Sequence, residues 1–132
     1  MKILILGAGG REHALAYKIS QSPLVTALYC APGNPGMAEY AQCITLNLSS
    51  HDEIVHFCQK AQIDFVVVGP EGPLVAGLVD ILEEKNILAF GPRKKAALLE
   101  GSKGFSKDFL KRHNIKTAAY QRFTDCAAAK QY

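Results

Sequence analysis

MKILILGAGGREHA, residues 1–14, contains the pattern that decides the fold. Residues 2–6 are almost wholly apolar and end at a glycine, which is typical of a strand covered on both faces in a parallel sheet. The GAGG of residues 7–10 predicts a tight turn, and residues 11–21 have helical spacing. A glycine turn between a strand and a helix can hold a dinucleotide pyrophosphate or the single phosphate of a smaller molecule.

The same alternation of apolar strand and helix recurs along the chain. Further strands are predicted at residues 25–30, 43–46, 64–68 and 87–90, and further helices after the capping box of Ser50 and Glu53 and near Pro73. Such alternation packs most simply as a parallel sheet with helices on both faces. The expected fold is therefore α/β, with an open, parallel, Rossmann-like sheet.

The alternation of predicted strands and helices ends after Gly91. A short helix is predicted at residues 93–100, and a second helix capped by Ser102, a strand at 116–123 and the start of a helix at 125–132 follow. We expect an N-terminal domain over residues 1–101, with residues 102–132 forming a linker and the beginning of a second domain.

The composition indicates a folded protein with a packed core. Of the 132 residues, 48% are hydrophobic and 20% are charged, and the net charge is +3. Basic residues cluster only at 93–95, which does not favour nucleic-acid binding. The start lacks a cleavable leader, and no apolar run approaches the roughly 20 residues that span a bilayer. We therefore expect a cytoplasmic protein that contacts neither nucleic acid nor membrane.

The four cysteines give no indication of a metal or redox site. Cys30, Cys43, Cys58 and Cys126 have no CxxC spacing and no histidine at metal-ligand spacing. No nucleophile with an adjacent base and no paired carboxylates are evident either. The visible chemistry is binding, with no catalytic residue and no metal ligand predicted in these residues.

Three Gly- or Pro-rich loops, at residues 7–12, 31–36 and 69–73, follow predicted strands. Ligands of open parallel sheets bind beyond the carboxyl ends of the strands, where these loops meet. In the first loop, backbone N–H groups at a helix start and the neighbouring Arg11 favour a phosphate. A dinucleotide fingerprint would have a third glycine where this chain has Glu12, and a carboxylate after the second strand, which ends near Cys30. A nicotinamide-dinucleotide module is therefore the alternative to a monophosphate site.

Two polar residues of the other loops leave two interpretations open. Glu71 can bind an amine or a ribose hydroxyl, or it can cap the helix that begins near Pro73. Asn34 can bind a ligand, or it can simply serve a left-handed turn. The residues alone do not decide either case.

Longer motifs carry a family resemblance. GAGGREHALA, APGNPG, VVVGPEGPLVAGLVD, FGP and LEGSKGFSKDFLKRHNIKTAAYQRF resemble, in this order, the glycinamide ribonucleotide synthetases, which are phosphoribosylamine-glycine ligases of purine synthesis in the ATP-grasp superfamily. The resemblance implies a ligase that uses ATP to make glycinamide ribonucleotide from phosphoribosylamine and glycine through a glycyl phosphate. It also implies Mg²⁺ or Mn²⁺ in the complete enzyme.

The resemblance also implies roles for individual residues. The first loop, near the substrate phosphate, contributes Gly9, Gly10, Arg11 and Glu12; the second contributes Asn34, Pro35 and Gly36; Glu71 lies near the ribose or amine, and Lys103 near the ATP phosphates. It implies an N-terminal portion that binds substrate phosphate and ribose but does not catalyse without an ATP-grasp domain in cis. Apolar residues after Ser102 are expected to favour association, including a dimer.

Overall fold

Five parallel strands form one sheet in the computed structural model, which describes Met1–Tyr132. The strands are β1 (Lys2–Gly7), β2 (Ala27–Pro32), β3 (Gln42–Cys43), β4 (Phe65–Val68) and β5 (Leu88–Phe90). Their order is β3-β2-β1-β4-β5, and each neighbouring pair is parallel. This architecture confirms the predicted α/β fold with an open parallel sheet.

Seven α-helices accompany the sheet. They are α1 (Gly10–Ser20), α2 (His51–Ala61), α3 (Glu71–Ala76), α4 (Leu78–Glu84), α5 (Lys94–Gly101), α6 (Lys103–Arg112) and α7 (Cys126–Gln131). A short 3-10 helix covers Met37–Glu39. None of the helices is sufficiently long and apolar to cross a membrane.

Alternating residues of β1 face two separate apolar layers. Ile3 and Ile5 belong to the cluster that contains Ala16 of α1, whereas Leu4 and Leu6 belong to the cluster that contains residues of α2 and α4. Because side chains alternate along a strand, an almost wholly apolar strand can be buried only when both faces of the sheet are covered. This packing fixes the carboxyl end of β1 at the centre of the sheet.

The strand order produces a switch point at that centre. The chain runs outward from β1 through β2 to β3, and then returns to β4 on the other side of β1. The connections that follow β1 and β4 therefore diverge at the carboxyl edge of the sheet. In open α/β sheets a ligand crevice lies at this position.

Two predicted elements differ in the structure. The helix near Pro73 is divided into α3 and α4, because Gly77 adopts a φ of +100°, which ends one helix before the next begins. The strand prediction for residues 116–123 is wrong: these residues form neither strand nor helix. A strand requires a hydrogen-bonded neighbour, and this segment is held by side-chain contacts instead.

The capping box at the start of α2 is also only partly formed. The Ser50 hydroxyl accepts the Glu53 N–H at 3.3 Å, as predicted. The Glu53 carboxylate, however, accepts the N–H of Asn47 at 3.1 Å and does not return to Ser50. The Ser50 N–H donates instead to the Asn47 carbonyl oxygen at 2.9 Å, so a turn before the helix replaces the second half of the box.

The chain divides into two compact units, Met1–Ala97 and Leu98–Tyr132. The first contains the whole sheet, and the second contains α6 and α7. The sequence-based boundary follows residue 101, so the division between 1–101 and 102–132 stays a prediction.

Candidate ligand site at the carboxyl edge of the sheet

The loops after β1 and β2 are hydrogen-bonded to each other. The Asn34 side-chain amide donates to the Ala8 carbonyl oxygen at 2.9 Å, and the Gly33 N–H donates to the Gly7 carbonyl oxygen at 3.2 Å. The first two predicted loops therefore form one continuous surface above the carboxyl ends of their strands.

Glu12 connects the first loop to the third. Its side chain is 7% exposed, and its Oε2 accepts the Gly9 N–H at 2.8 Å. A Cβ atom built on Gly69 would lie 2.5 Å from Glu12 Oε1, and one built on Gly7 would lie 2.6 Å from Glu12 Cγ. The carboxylate is thus enclosed by glycine backbone from the turns after β1 and β4, at the switch point.

This arrangement changes which groups can bind a phosphate. The Gly9 N–H is already occupied by Glu12, so it is not a free donor as the sequence suggested. The N–H groups before His13 lack intrahelical acceptors, and those of Gly10 and Arg11 are among the ones that remain. The Arg11 side chain is 72% exposed, with its Nε 4.0 Å from Glu12 Oε1. Two N–H groups and one guanidinium suit a single phosphate group.

Both the nitrogen and the oxygen of the Asn34 side-chain amide form hydrogen bonds. Besides donating to Ala8, it accepts the Met37 N–H through Oδ1 at 3.0 Å, at the start of the 3-10 helix. The left-handed residue of this loop is Gly33, with a φ of +71°, and not Asn34. In the structure Asn34 therefore fixes the shape of the second loop.

Gly36 is required by a side chain from α1. A Cβ atom at Gly36 would overlap the imidazole of His13, whose ring centroid lies 6.0 Å from that of Tyr40. Pro35 precedes this contact and is exposed. Because Gly36 has no side chain, the second loop can lie directly against His13 of α1.

Glu71 is the first residue of α3 and is exposed. The helix begins two residues before the predicted position, with Pro70 as its N-cap and with no side-chain capping bond. The interpretation of Glu71 as a capping residue is therefore wrong. Its position directly after the Gly69 turn leaves its carboxylate available to solvent at the carboxyl edge of the sheet.

A separate basic cleft lies within the second unit. Its volume is about 200 Å³, and it is lined by Lys103, Gly104, Lys107, Tyr120, Gln121 and Arg122. Sequence reasoning identified Lys103 but missed Lys107 and Arg122. Lys103 and Lys107 are four residues apart on α6, a spacing that places both on one helix face, whereas Arg122 joins them only through the return of the segment near residue 120.

Asp108 organises that cleft through two hydrogen bonds. It accepts the Tyr120 hydroxyl at 2.6 Å and an Arg122 guanidinium N–H at 2.8 Å. These two bonds, the Tyr120 bond foremost, hold the pKa of the Asp108 carboxyl below its ordinary value and outweigh the opposing effect of burial. The bond to Asp108 conversely raises the pKa of the Tyr120 phenol.

We expect acid to release this contact. Because the pKa of Asp108 is lowered by folding, its bonds are fully present above the ordinary aspartate pKa and are lost as pH falls through the lowered value. The Tyr120 ring resonances should shift with that lowered pKa in an NMR titration. In Asp108→Asn the carboxyl titration should be absent, and an identical shift in that variant would contradict the assignment.

The chain has few side chains suited to bind a metal ion or to act as a nucleophile. No group of three or more His, Cys, Asp or Glu side chains is arranged to hold a metal ion. All four cysteines are free, and burial raises the pKa of Cys58 to about 11. Burial, with a smaller effect from neighbouring Cys43, raises the pKa of Cys30 to about 12. Neither buried thiol is therefore an activated nucleophile.

Comparison with known families gives a match over most of the chain. The family model described as phosphoribosylglycinamide synthetase, N domain, matches residues 1–100. The phosphoribosylamine–glycine ligase of Mesorhizobium japonicum is 60% identical over 132 residues, which are 100% of this chain and 31% of that relative. The ligase of Clostridium acetobutylicum is 50% identical over the same length, which is 32% of it. The chain thus spans about a third of the length of these relatives.

Solved structures share the fold. The phosphoribosylamine–glycine ligase of Thermotoga maritima superposes with a TM-score of 0.65 at 28% identity, over 92% of this chain and 27% of that one. The phosphoribosylglycinamide synthetase of Anaerococcus prevotii gives a TM-score of 0.67 at 21% identity, over 98% of this chain and 33% of that one, a likeness of fold alone.

Proposed function

This chain belongs to the family of phosphoribosylglycinamide synthetase N domains, and on that basis we propose that it is the substrate-positioning part of a phosphoribosylamine–glycine ligase. The complete ligase would join the amine of phosphoribosylamine to the carboxyl group of glycine at the expense of ATP. The observation that supports the proposal best is the phosphate-sized set of donors at Gly10 and Arg11, at the switch point of the sheet.

ATP supplies a good leaving group by phosphorylating the glycine carboxylate, and attack by the amine then forms the amide and releases phosphate. The proposed contribution of this chain is orientation. Holding phosphoribosylamine by its phosphate and ribose fixes the amine for attack and converts an encounter in solution into a reaction within one site. No residue of this chain is proposed to make or break a bond.

The first loop is proposed to bind the substrate phosphate. The N–H groups of Gly10 and Arg11 lie at the positive end of α1, and the Arg11 guanidinium adds a full positive charge. The neighbouring loop residues Asn34, Pro35 and Gly36 would form the adjoining wall. Glu71, exposed at the same edge of the sheet, would accept a hydrogen bond from a ribose hydroxyl or from the amine.

The basic cleft of the second unit is proposed to contact ATP. Lys103 and Lys107 line it together with Arg122, whose guanidinium is paired with Asp108. Two ammonium groups without a carboxylate partner beside a cleft of about 200 Å³ suit a polyphosphate. The divalent ion that accompanies ATP in such a ligase, Mg²⁺ or Mn²⁺, does not fit the carboxylates of this chain, since no three of them converge. The proposal therefore assigns the ion to residues outside the 132 described.

A single substitution tests the ATP contact. We expect Lys103→Gln to weaken binding of tripolyphosphate to the chain about tenfold, because one charge-assisted contact contributes roughly 1.5 kcal/mol or more. The matched control is Lys111→Gln, an exposed lysine of the same helix that does not line the cleft. Fluorescence or calorimetric titration measures both, and equal affinities in the two variants would remove Lys103 from the site.

We also propose that the protein works in the cytoplasm. The four free cysteines support this, because a reducing compartment keeps thiols from pairing. The apolar residues Phe105, Phe109, Leu110 and Phe123 are partly buried in the structure. Dimerisation through their segment stays a prediction, which the mass of the chain in solution would test.

Calorimetric titration of the chain tests the substrate proposal. Phosphoribosylglycinamide, the stable product, should bind, whereas the same molecule without its phosphate should bind at least tenfold more weakly because the Arg11 contact is lost. The dinucleotide NAD should give no heat of binding. Equal binding with and without the phosphate, or preferential binding of NAD, would contradict the proposal.

A further inference from the structure

We infer that Glu12 is a positioning residue, which fixes the turn after β1 against the turn after β4 and does not itself contact the substrate. The inference deepens the proposed function and rests on it for the identity of the ligand. The family resemblance groups Glu12 with the substrate-binding residues, so the two assignments make different predictions for the same side chain.

Burial directs the Glu12 carboxylate away from a ligand. Glu12 is the one charged residue that is buried: its side chain is 7% exposed, whereas that of Arg11 beside it is 72% exposed. A buried carboxylate is unfavourable unless hydrogen bonds and positive charge compensate for the lost hydration. Here the Gly9 N–H, 2.8 Å from Oε2, and the start of α1 provide that compensation. The acceptor capacity of Glu12 is thus directed into the protein.

The surrounding glycines fit closely against Glu12. Cβ atoms built on Gly7, Gly9 and Gly69 would all lie between 2.5 and 2.7 Å from atoms of Glu12. Real Cβ atoms essentially never approach so closely, so a side chain at any of these positions would force Glu12 or the turn to move. One carboxylate therefore sets the separation of two turns whose residues are far apart in sequence.

Electrostatic repulsion also disfavours a direct contact between Glu12 and the substrate phosphate. The proposed phosphate lies near Gly10 and Arg11, and a second anion in direct contact with it would be repelled. An inward-facing Glu12 supports the N–H donors of the turn without presenting its charge to the ligand. Positioning is therefore compatible with the phosphate site, whereas direct contact with the phosphate is not.

The first experiment separates shape from charge. Glu12→Gln retains the length of the side chain and an oxygen that accepts the Gly9 N–H, whereas Glu12→Ala loses both. We expect affinity for phosphoribosylglycinamide to change less than about threefold in Glu12→Gln and to fall about tenfold in Glu12→Ala. If Glu12→Gln loses as much affinity as Glu12→Ala, Glu12 is a substrate contact and the inference is wrong.

The second experiment is a double-mutant cycle on unfolding by urea. Gly69→Ala should raise the unfolding equilibrium constant at least tenfold, because its new Cβ meets Glu12. In Glu12→Ala/Gly69→Ala the shortened side chain makes room, so the combined effect should be at least fivefold smaller than the product of the single effects. Gly72→Ala is the control, because a Cβ there meets nothing within 4 Å.

The two experiments fail in different ways. Multiplicative single effects in the urea cycle would show that the two turns are not coupled through Glu12, and would overturn the inference whatever the ligand. A wild-type chain that does not bind phosphoribosylglycinamide would instead contradict the proposed function, while the urea cycle would still decide whether Glu12 joins the turns.

Discussion

Replacing Gly7 by alanine should destabilise the chain by about 3 kcal/mol, from the sum of backbone strain and overpacking. Gly7 has a φ of +124°, which L-residues rarely adopt, and a Cβ there would lie 2.6 Å from Glu12 Cγ and 2.9 Å from Glu12 Cδ. Both costs act at the carboxyl end of the central strand, where Glu12, the residue that a new Cβ would meet, is itself buried. Equilibrium unfolding in urea, monitored by circular dichroism, measures the change.

Gly10→Ala is the matched control for this experiment. Gly10 lies in the same turn, but a Cβ there meets nothing within 4 Å and the residue is already helical. Alanine is favoured over glycine in a helix by roughly 1 kcal/mol. We therefore expect Gly10→Ala to be neutral or stabilising. A Gly7→Ala chain as stable as Gly10→Ala would contradict the described geometry of the turn.

Replacing Arg11 by alanine should produce the largest loss of ligand binding. A charge-assisted contact to phosphate contributes roughly 1.5 to 3 kcal/mol, which corresponds to a ten- to hundredfold weaker affinity for phosphoribosylglycinamide. The free energy of unfolding should change little, because the Arg11 side chain is 72% exposed and its Nε lies 4.0 Å from Glu12 Oε1. Calorimetry on the folded variant measures the affinity directly.

Two further variants make the Arg11 result specific. Arg11→Lys keeps the charge but loses the planar fork, so its affinity should lie between those of the wild type and Arg11→Ala. Lys18→Ala removes a cation from the last turn of the same helix, where Lys18 contacts Gln21, and should leave binding unchanged. If Lys18→Ala weakens binding as much as Arg11→Ala, the loss of affinity comes from the lower net charge and not from a contact between Arg11 and the phosphate.

The central part of the fold could be predicted from local patterns. The apolar run of residues 2–6, the glycine turn and the helix after it depend on neighbours in sequence, and the structure has them within a residue or two. The segment 116–123 could not be predicted in the same way. Its strand-forming residues have no neighbouring strand, and their partners are Lys107 and Asp108 of α6.

The site was predictable as a set of loops but not as a set of contacts. The carboxyl-edge rule identified the three loops, because it depends only on strand order. The enclosure of Glu12 by Gly69 was not predictable, since those residues are 57 positions apart and no local pattern joins them. The bond from the Gly9 N–H to the Glu12 carboxylate is different, because it joins residues only three positions apart, as the glutamate of a capping box does. Local capping therefore removes Gly9 as a donor for a ligand, whereas long-range packing encloses Glu12.

An amide NMR titration of the chain with phosphoribosylglycinamide and, separately, with NAD tests the proposed substrate site most directly. We expect the ribonucleotide to shift the amide resonances of Gly10 and Arg11 most strongly, with smaller shifts at Asn34 and Glu71, and NAD to shift none of them. Shifts of these resonances with NAD but not with the ribonucleotide would rule out the proposed phosphate site and favour a dinucleotide-binding module.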